Sequence, residues 1–456
     1  SRQLQKGDLY IAMNGQYSDG HKFLDDVNKK GAAAAIVQES NNEIDLQQLQ
    51  VQDTIYTLKE LAIKWRKNFD IPIIAITGSN GKTSSKDLLL HILSDDLKVH
   101  ATKGNFNTAI GLCFTIFELQ SHHDLAIFEL GASMPGEIKN LCEIASPTHG
   151  LITNIAPAHL EGFGSIQNIA KEKGNLFNSL LDGISFVNMT DDYISKMYIK
   201  GKKISFGLTP DCDFPADISQ EKDGTLTLIL DTHEIKTNSH NFSFLKNCIA
   251  ISAIAITLGI SAKSLNERLK SFLPPRGRCF VNKINDVTII DDTYNANLTS
   301  SLAALEYLNA FSNDGRKIFV FGDMLELGDE SEKQHAEVGI KCSSLEIDIV
   351  YTIGTHTIFT DSNIIGKTYH KHFQSKEILI KTLKKIIKKN DKVLFKGSRS
   401  MDSKTAVNIS DFSMLIRKNT LLGYLNQNDR FFFLEYLDIS LDLFPKLLQY
   451  HFFLKF

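Results

Sequence analysis

One stretch constrains this chain more than any other: the apolar run Ile71-Pro72-Ile73-Ile74-Ala75-Ile76, leading straight into Thr77-Gly78-Ser79-Asn80-Gly81-Lys82-Thr83. A short, wholly apolar run suits a strand buried on both faces of a parallel sheet, and Ser84–Leu93 behind it reads as a helix. Glycines in the connecting loop let backbone N–H groups wrap an anion. The helix N-terminus adds a favourable dipole, and Lys82 supplies charge to the outer phosphates of a nucleotide. Thr83, beside the lysine, suits Mg²⁺. Ile76 stands where the general phosphate-loop pattern has its first glycine, so a plain glycine-containing turn is the alternative.

Strand and helix patterns alternate beyond this loop, with strands expected at Leu125–Leu130, Gly150–Thr153 and Ile184–Val187, the rhythm of a doubly wound sheet. At 456 residues the chain is too long for one core, and about three α/β domains are expected. The first, 1–70, has strands near Leu9–Met13 and Ala33–Val37 and helices near Phe23–Lys29 and Leu58–Lys67. The second, 71–273, includes an antiparallel addition at Thr225–Leu230. Pro274-Pro275-Arg276-Gly277 breaks the pattern and opens the third, 274–418, Rossmann-like, with strands near Val287–Asp291, Lys317–Phe321, Ile347–Ile353 and Lys392–Phe395. A tail, 419–456, crowds aromatics at Phe431-Phe432-Phe433 and His451-Phe452-Phe453 and has no assigned role.

The formal charge of -3 gives no global reason to bind nucleic acid or an anionic membrane. Cys113, Cys142, Cys212, Cys248, Cys279 and Cys342 show no CxxC spacing, which favours reduced thiols over disulfides or a zinc site. The most apolar helical stretch, Ile249–Ile260, is about half the ~20 residues a membrane span needs. With no signal peptide in view, a cytoplasmic monomer is expected. The start at Ser1-Arg2 suggests that the natural N-terminus lies upstream.

The loop resembles the ATP loop shared by Mur ligases and folylpolyglutamate synthases. Later segments point to the first. Thr102–Gly111 resembles the TxGNxNNxxG segment, with Thr108 for the second Asn of the pair. Phe128–Ser133 with Gly136-Glu137-Ile138 resembles ELGAN…GEI, with Ser133 for Asn. Thr153–Glu161 is similar to TNIxxAHLE, and Lys173 falls where the family carries a carbamylated lysine. Asp291–Asn297 resembles DDSYNANP, with Leu298 for Pro. Gly322–Gly328 followed by His335 resembles GDMLELG…H, and Lys396–Met401 resembles KGSRxM. YNAN with GDMLELG is characteristic of the branch that adds D-alanyl-D-alanine to UDP-MurNAc-tripeptide, and no DNPR-type signature of its diaminopimelate-adding sister is seen.

The resemblance implies ATP-dependent amide-bond formation through an acyl phosphate, with ATP and two Mg²⁺ ions. It places Gly78, Ser79, Asn80, Gly81, Lys82 and Thr83 on the phosphates, Asn247 on adenine, Arg278 on phosphate and Asp292 on ribose. Thr83 and Glu129 would hold one Mg²⁺ and His159 the second, steadied by carbamylated Lys173. Catalysis would rest on Lys82, His159 and Lys173. Ser1 and Arg2 resemble the end of a UDP-binding DSR motif. Asn105, Asn107, Asn295, Asn297 and Arg399 are candidates for substrate. Plain alternatives are a strand-end Glu, a capping His, a solvated helix Lys, capping Asn residues and a surface ion pair for Arg399. Two other functions stand beside this reading: another ATP-dependent amide ligase such as folylpolyglutamate synthase, and a non-catalytic nucleotide-binding relative, to which Thr108, Ser133 and Leu298 would point.

Overall fold

A computed structural model describes residues 4–15, 18–221, 225–230, 233–237, 239–312 and 314–398. The apolar run forms the strand Ile73–Thr77, buried along its whole length, inside a nine-stranded sheet. From one edge the order is Val99–Ala101, Leu125–Glu129, Ile73–Thr77, His149–Ile152, Ile184–Asn188, Lys202–Gly207, Phe214–Gln220, Leu226–Leu230 and His233–Lys236. Its pairings are parallel until the last two, which are antiparallel, as the alternation at 225–230 predicts. Strands following Ile73–Thr77 in sequence lie on both sides of it. The order therefore switches beside the phosphate loop, where open α/β sheets leave a crevice at their carboxyl edge.

Both faces of this sheet are covered. Leu88, Leu89 and Ile92 of helix Lys82–Leu93 pack with Ile251 and Ile254 of helix Phe242–Thr257 against Ile74 and Ile76. On the other face Leu112, Ile116, Leu141 and Leu176 pack against Ile73 and Phe128. Leu58 and Ala62 of helix Thr54–Arg66 join that second core, and Arg66 donates from Nε to the Ala145 carbonyl at 3.0 Å. This helix, read from sequence as part of the first unit, thus ties the small N-terminal sheet to the central one.

The N-terminal sheet is parallel, Leu9–Ile11, Ala34–Val37 and Gln48–Gln50, around Ala12, Leu24, Ala35 and Val37. The third sheet runs Phe280–Ile284, Val287–Asp292, Lys392–Lys396, Lys317–Gly322, Ile349–Ile353 and Tyr369–Phe373, antiparallel only at its first pair. Three α/β units result, the central one doubly wound. Among the described residues no helix is long and apolar enough to cross a membrane.

Candidate active site

The phosphate loop requires its glycines. Gly78 has φ +143°, and a Cβ there would lie 1.9 Å from Thr153 Oγ1. Gly81, at φ +80°, caps the helix Lys82–Leu93, and its Cβ would come within 2.9 Å of the Asn247 side chain. The neighbouring strand end holds the loop in shape. Ser79 N donates to Asn154 O at 2.9 Å, and Ser79 Oγ donates to Ala156 O at 2.8 Å. Asn80 N donates to Asn154 Oδ1 at 3.1 Å, while Asn154 Nδ2 at 3.0 Å and Thr153 Oγ1 at 2.6 Å donate to Asn80 O. Lys82 Nζ donates to Gly78 O at 2.7 Å, and burial lowers its pKa.

Glu129 ends its strand at 2 % exposure. Oε1 accepts from Asn107 Nδ2 at 2.9 Å, but Oε2 is buried without a hydrogen-bond partner. An unpartnered buried carboxylate oxygen costs on the order of 1–3 kcal/mol or more, and a cation in the adjoining cavity would offset that. His159, at φ +54°, caps the short helix Leu160–Phe163 and hydrogen-bonds through Nδ1 to Glu326 Oε2. Burial lowers its pKa. Lys173, on helix Ile166–Ser179, is 1 % exposed and makes no ion pair among the described residues. Burial first, then the charge of Lys82, bring its amine down to about 7. Among the described residues no group of three or more His, Cys, Asp or Glu side chains could hold a metal by itself.

The third unit reaches into the same place. Arg278 Nη2 donates to Thr83 Oγ1 at 2.8 Å, with its guanidinium 4.0 Å from the centre of the Tyr294 ring. Asp292 pairs with Lys396 Nζ at 2.5 Å and accepts from Cys279 N at 3.2 Å. Asn297 caps helix Leu298–Asn309 in a capping box with Ser300, and its Nδ2 donates to Asn80 Oδ1 at 2.7 Å. Asn295 accepts from Ala296 N at 2.9 Å and from Ser398 Oγ at 3.3 Å. Thr83, expected on a cation, is here held by Arg278, and Asn297 both caps its helix and bridges the two units.

These groups line one cavity of about 560 Å³ between the central and third units, including Lys82, Thr83, Glu129, His159, Asn247, Arg278, Asp292 and Asn297. Asn107 lies on it, whereas Asn105 is exposed and does not line it. Ser1, Arg2, Arg399 and the tail 419–456 lie outside the described residues. The sequence reading missed Thr153 and Asn154 as the loop's clamp, Lys396 as the partner of Asp292, and Glu326 as the partner of His159. All four sit in motifs quoted above, but their pairings are non-local. Two of the departures from the family pattern keep their local function. Thr108 caps helix Ala109–Phe117, a role Asn also fills, and Leu298 takes the first helical turn, where Pro is tolerated but not required.

Residues 76–255 match the Mur ligase middle domain, and residues 277–399 match the Mur ligase, glutamate ligase domain. The UDP-N-acetylmuramoyl-tripeptide--D-alanyl-D-alanine ligase of Escherichia coli is 34% identical over 417 residues, 88% of this chain and 90% of that protein. The Haemophilus influenzae protein of the same name is 33% identical over the same shares. A crystal structure of MurF from Acinetobacter baumannii superposes with a TM-score of 0.82 at 29% identity, covering 91% of this chain and 92% of that one. MurF ligase from Thermotoga maritima, in complex with ADP, gives 0.81 at 28% identity over 92% and 97%.

Proposed function

The chain belongs to the Mur ligase family, and from that premise we infer that it joins D-alanyl-D-alanine to UDP-MurNAc-tripeptide at the expense of ATP, giving the UDP-MurNAc-pentapeptide used to build peptidoglycan. The observation that carries this is the cavity in which the phosphate loop, Glu129 and His159 face Arg278 and Asp292 of another unit.

A carboxylate is a poor electrophile, so the tripeptide carboxylate first takes the γ-phosphoryl group of ATP. The amine of the dipeptide then attacks the acyl phosphate, and phosphate leaves. Positioning and charge stabilisation do most of this work. Gly78, Ser79, Asn80 and Gly81 present backbone donors to the phosphates, and Lys82 carries charge to the outer ones. Arg278 joins it from the third unit, Asp292 takes the ribose and Asn247 the adenine. Glu129 with Thr83, and His159 with Lys173, are the residues that would hold two Mg²⁺ ions, which neutralise phosphoryl oxygens when bound. A carbamate on Lys173 would turn a buried amine of lowered pKa into an anion suited to that role. Asn107 orients Glu129, and Asn295, Asn297 and Arg399 are assigned to the substrate. Ser1 and Arg2 with Asn105 are assigned to the UDP-linked substrate.

Domain boundaries are placed at 70/71 and 273/274. The working unit is taken as a monomer, acting in the cytoplasm where ATP is supplied. Phosphate release with ATP, Mg²⁺ and UDP-MurNAc-tripeptide tests the reading. Release that requires D-alanyl-D-alanine is expected. Nucleotide binding without release under any substrate combination would instead make the chain a non-catalytic relative.

A further inference from the structure

Glu326 sits at φ +62°, a conformation that costs a non-glycine residue energy and persists only where the surroundings impose it. Here they do. Asp323 just before it is buried and accepts from Thr355 N at 2.8 Å, His356 N at 2.9 Å and Thr357 N at 2.9 Å. His335, also buried, accepts from Met324 N at 3.1 Å and hydrogen-bonds Ser331 O at 2.7 Å through its other nitrogen. Leu325 N donates to Ser398 Oγ at 3.2 Å. The whole Gly322–Gly328 motif thus fixes one turn, and the turn delivers Glu326 to His159 of the central unit. A backbone bond, Glu161 N to Glu326 O at 3.3 Å, reinforces the meeting.

A carboxylate oxygen only accepts, so the proton of this hydrogen bond sits on His159 Nδ1. The lone pair is then left on Nε2, and His159 lines the cavity. Metal-binding histidines are commonly oriented and set in one tautomer by such an outer carboxylate. We propose that Glu326 is a positioning residue for His159, supplied by the third unit, so that the second cation site is complete only when that unit is docked. This rests on the reading of His159 as a cation ligand.

Mn²⁺ serves as the probe, titrated by electron paramagnetic resonance with a non-hydrolysable ATP analogue and UDP-MurNAc-tripeptide present. Glu326→Asn removes the carboxylate's reach while keeping a residue that tolerates the left-handed backbone, and Glu326→Gln keeps an acceptor without charge. Glu326→Asn is expected to weaken the second Mn²⁺ about 10–100-fold, Glu326→Gln less, with the KM for ATP and the melting temperature close to those of the parent. His159→Ala should lose that ion altogether. Unchanged Mn²⁺ binding in Glu326→Asn, where His159→Ala loses an ion, would overturn the positioning role alone. An ATP KM that rises in step with the loss of Mn²⁺ in both Glu326 variants would make Glu326 a general docking contact and overturn it too. A parent protein that binds a single Mn²⁺ would remove the cation reading of His159, and the role of Glu326 with it.

Discussion

Asn154 grips Asn80 from both sides of one amide: its Oδ1 accepts from Asn80 N at 3.1 Å and its Nδ2 donates to Asn80 O at 3.0 Å. The phosphate loop is therefore shaped by the end of the next strand as much as by its own glycines. Asn154→Ala should leave the sheet intact and release the loop. Losing this pair costs roughly 1–3 kcal/mol, which predicts a rise of about tenfold or more in the KM for ATP at little change in melting temperature. Unaltered nucleotide affinity would show that the clamp is not needed.

Lys82 donates to the loop's own carbonyl at Gly78. Lys82→Ala should keep the fold and lower kcat by about 10²–10³-fold or more, the usual scale for a lost charge-stabilising donor. Near-normal phosphate release from that variant would remove the assigned role.

Lys173 has its pKa lowered to about 7 by burial and by Lys82. Its amine is therefore protonated below that pH and increasingly neutral above it, and only the neutral amine reacts with carbon dioxide. Turnover should fall as pH drops through about 7, and added bicarbonate should raise it at fixed pH. A carbamate resonance on Lys173 in ¹³C spectra with labelled bicarbonate checks the cause. Its absence, with a flat profile from about pH 6 to about pH 8, would contradict this account.

Glu129 keeps one carboxylate oxygen buried and unpartnered. Mg²⁺ with ADP should raise the melting temperature of the parent, and a chelator should reverse the gain. Glu129→Gln should lose most of that gain because a neutral amide is a weaker cation ligand. An equal Mg²⁺ effect in both proteins would count against Glu129 as a ligand.

Local features of the sequence carried far. The apolar strand before the loop, the Gly-Lys-Thr turn and Glu129 at a strand end could all be read because each depends on neighbours in sequence. Some strands were lost. Gln48–Gln50 and Val99–Ala101, at the edges of their sheets, are three residues each, and Lys202–Gly207, between two paired strands, begins with exposed lysines; pairing with neighbouring strands defines all three. Thr54, four residues ahead of the expected helix start, is set by the Asp53 cap. Within the site, the unread pairings join distant positions: Thr83 with Arg278 is separated by 195 residues, His159 with Glu326 by 167 and Asp292 with Lys396 by 104. Motifs named the participants, and only folding named the partners.

The mass of the UDP-linked product after incubation with ATP, Mg²⁺, UDP-MurNAc-tripeptide and D-alanyl-D-alanine tests the central claim most directly. The account predicts a species heavier by one D-alanyl-D-alanine unit less water, formed with one phosphate released per molecule. Unchanged tripeptide, in a protein that still binds ATP, would contradict it.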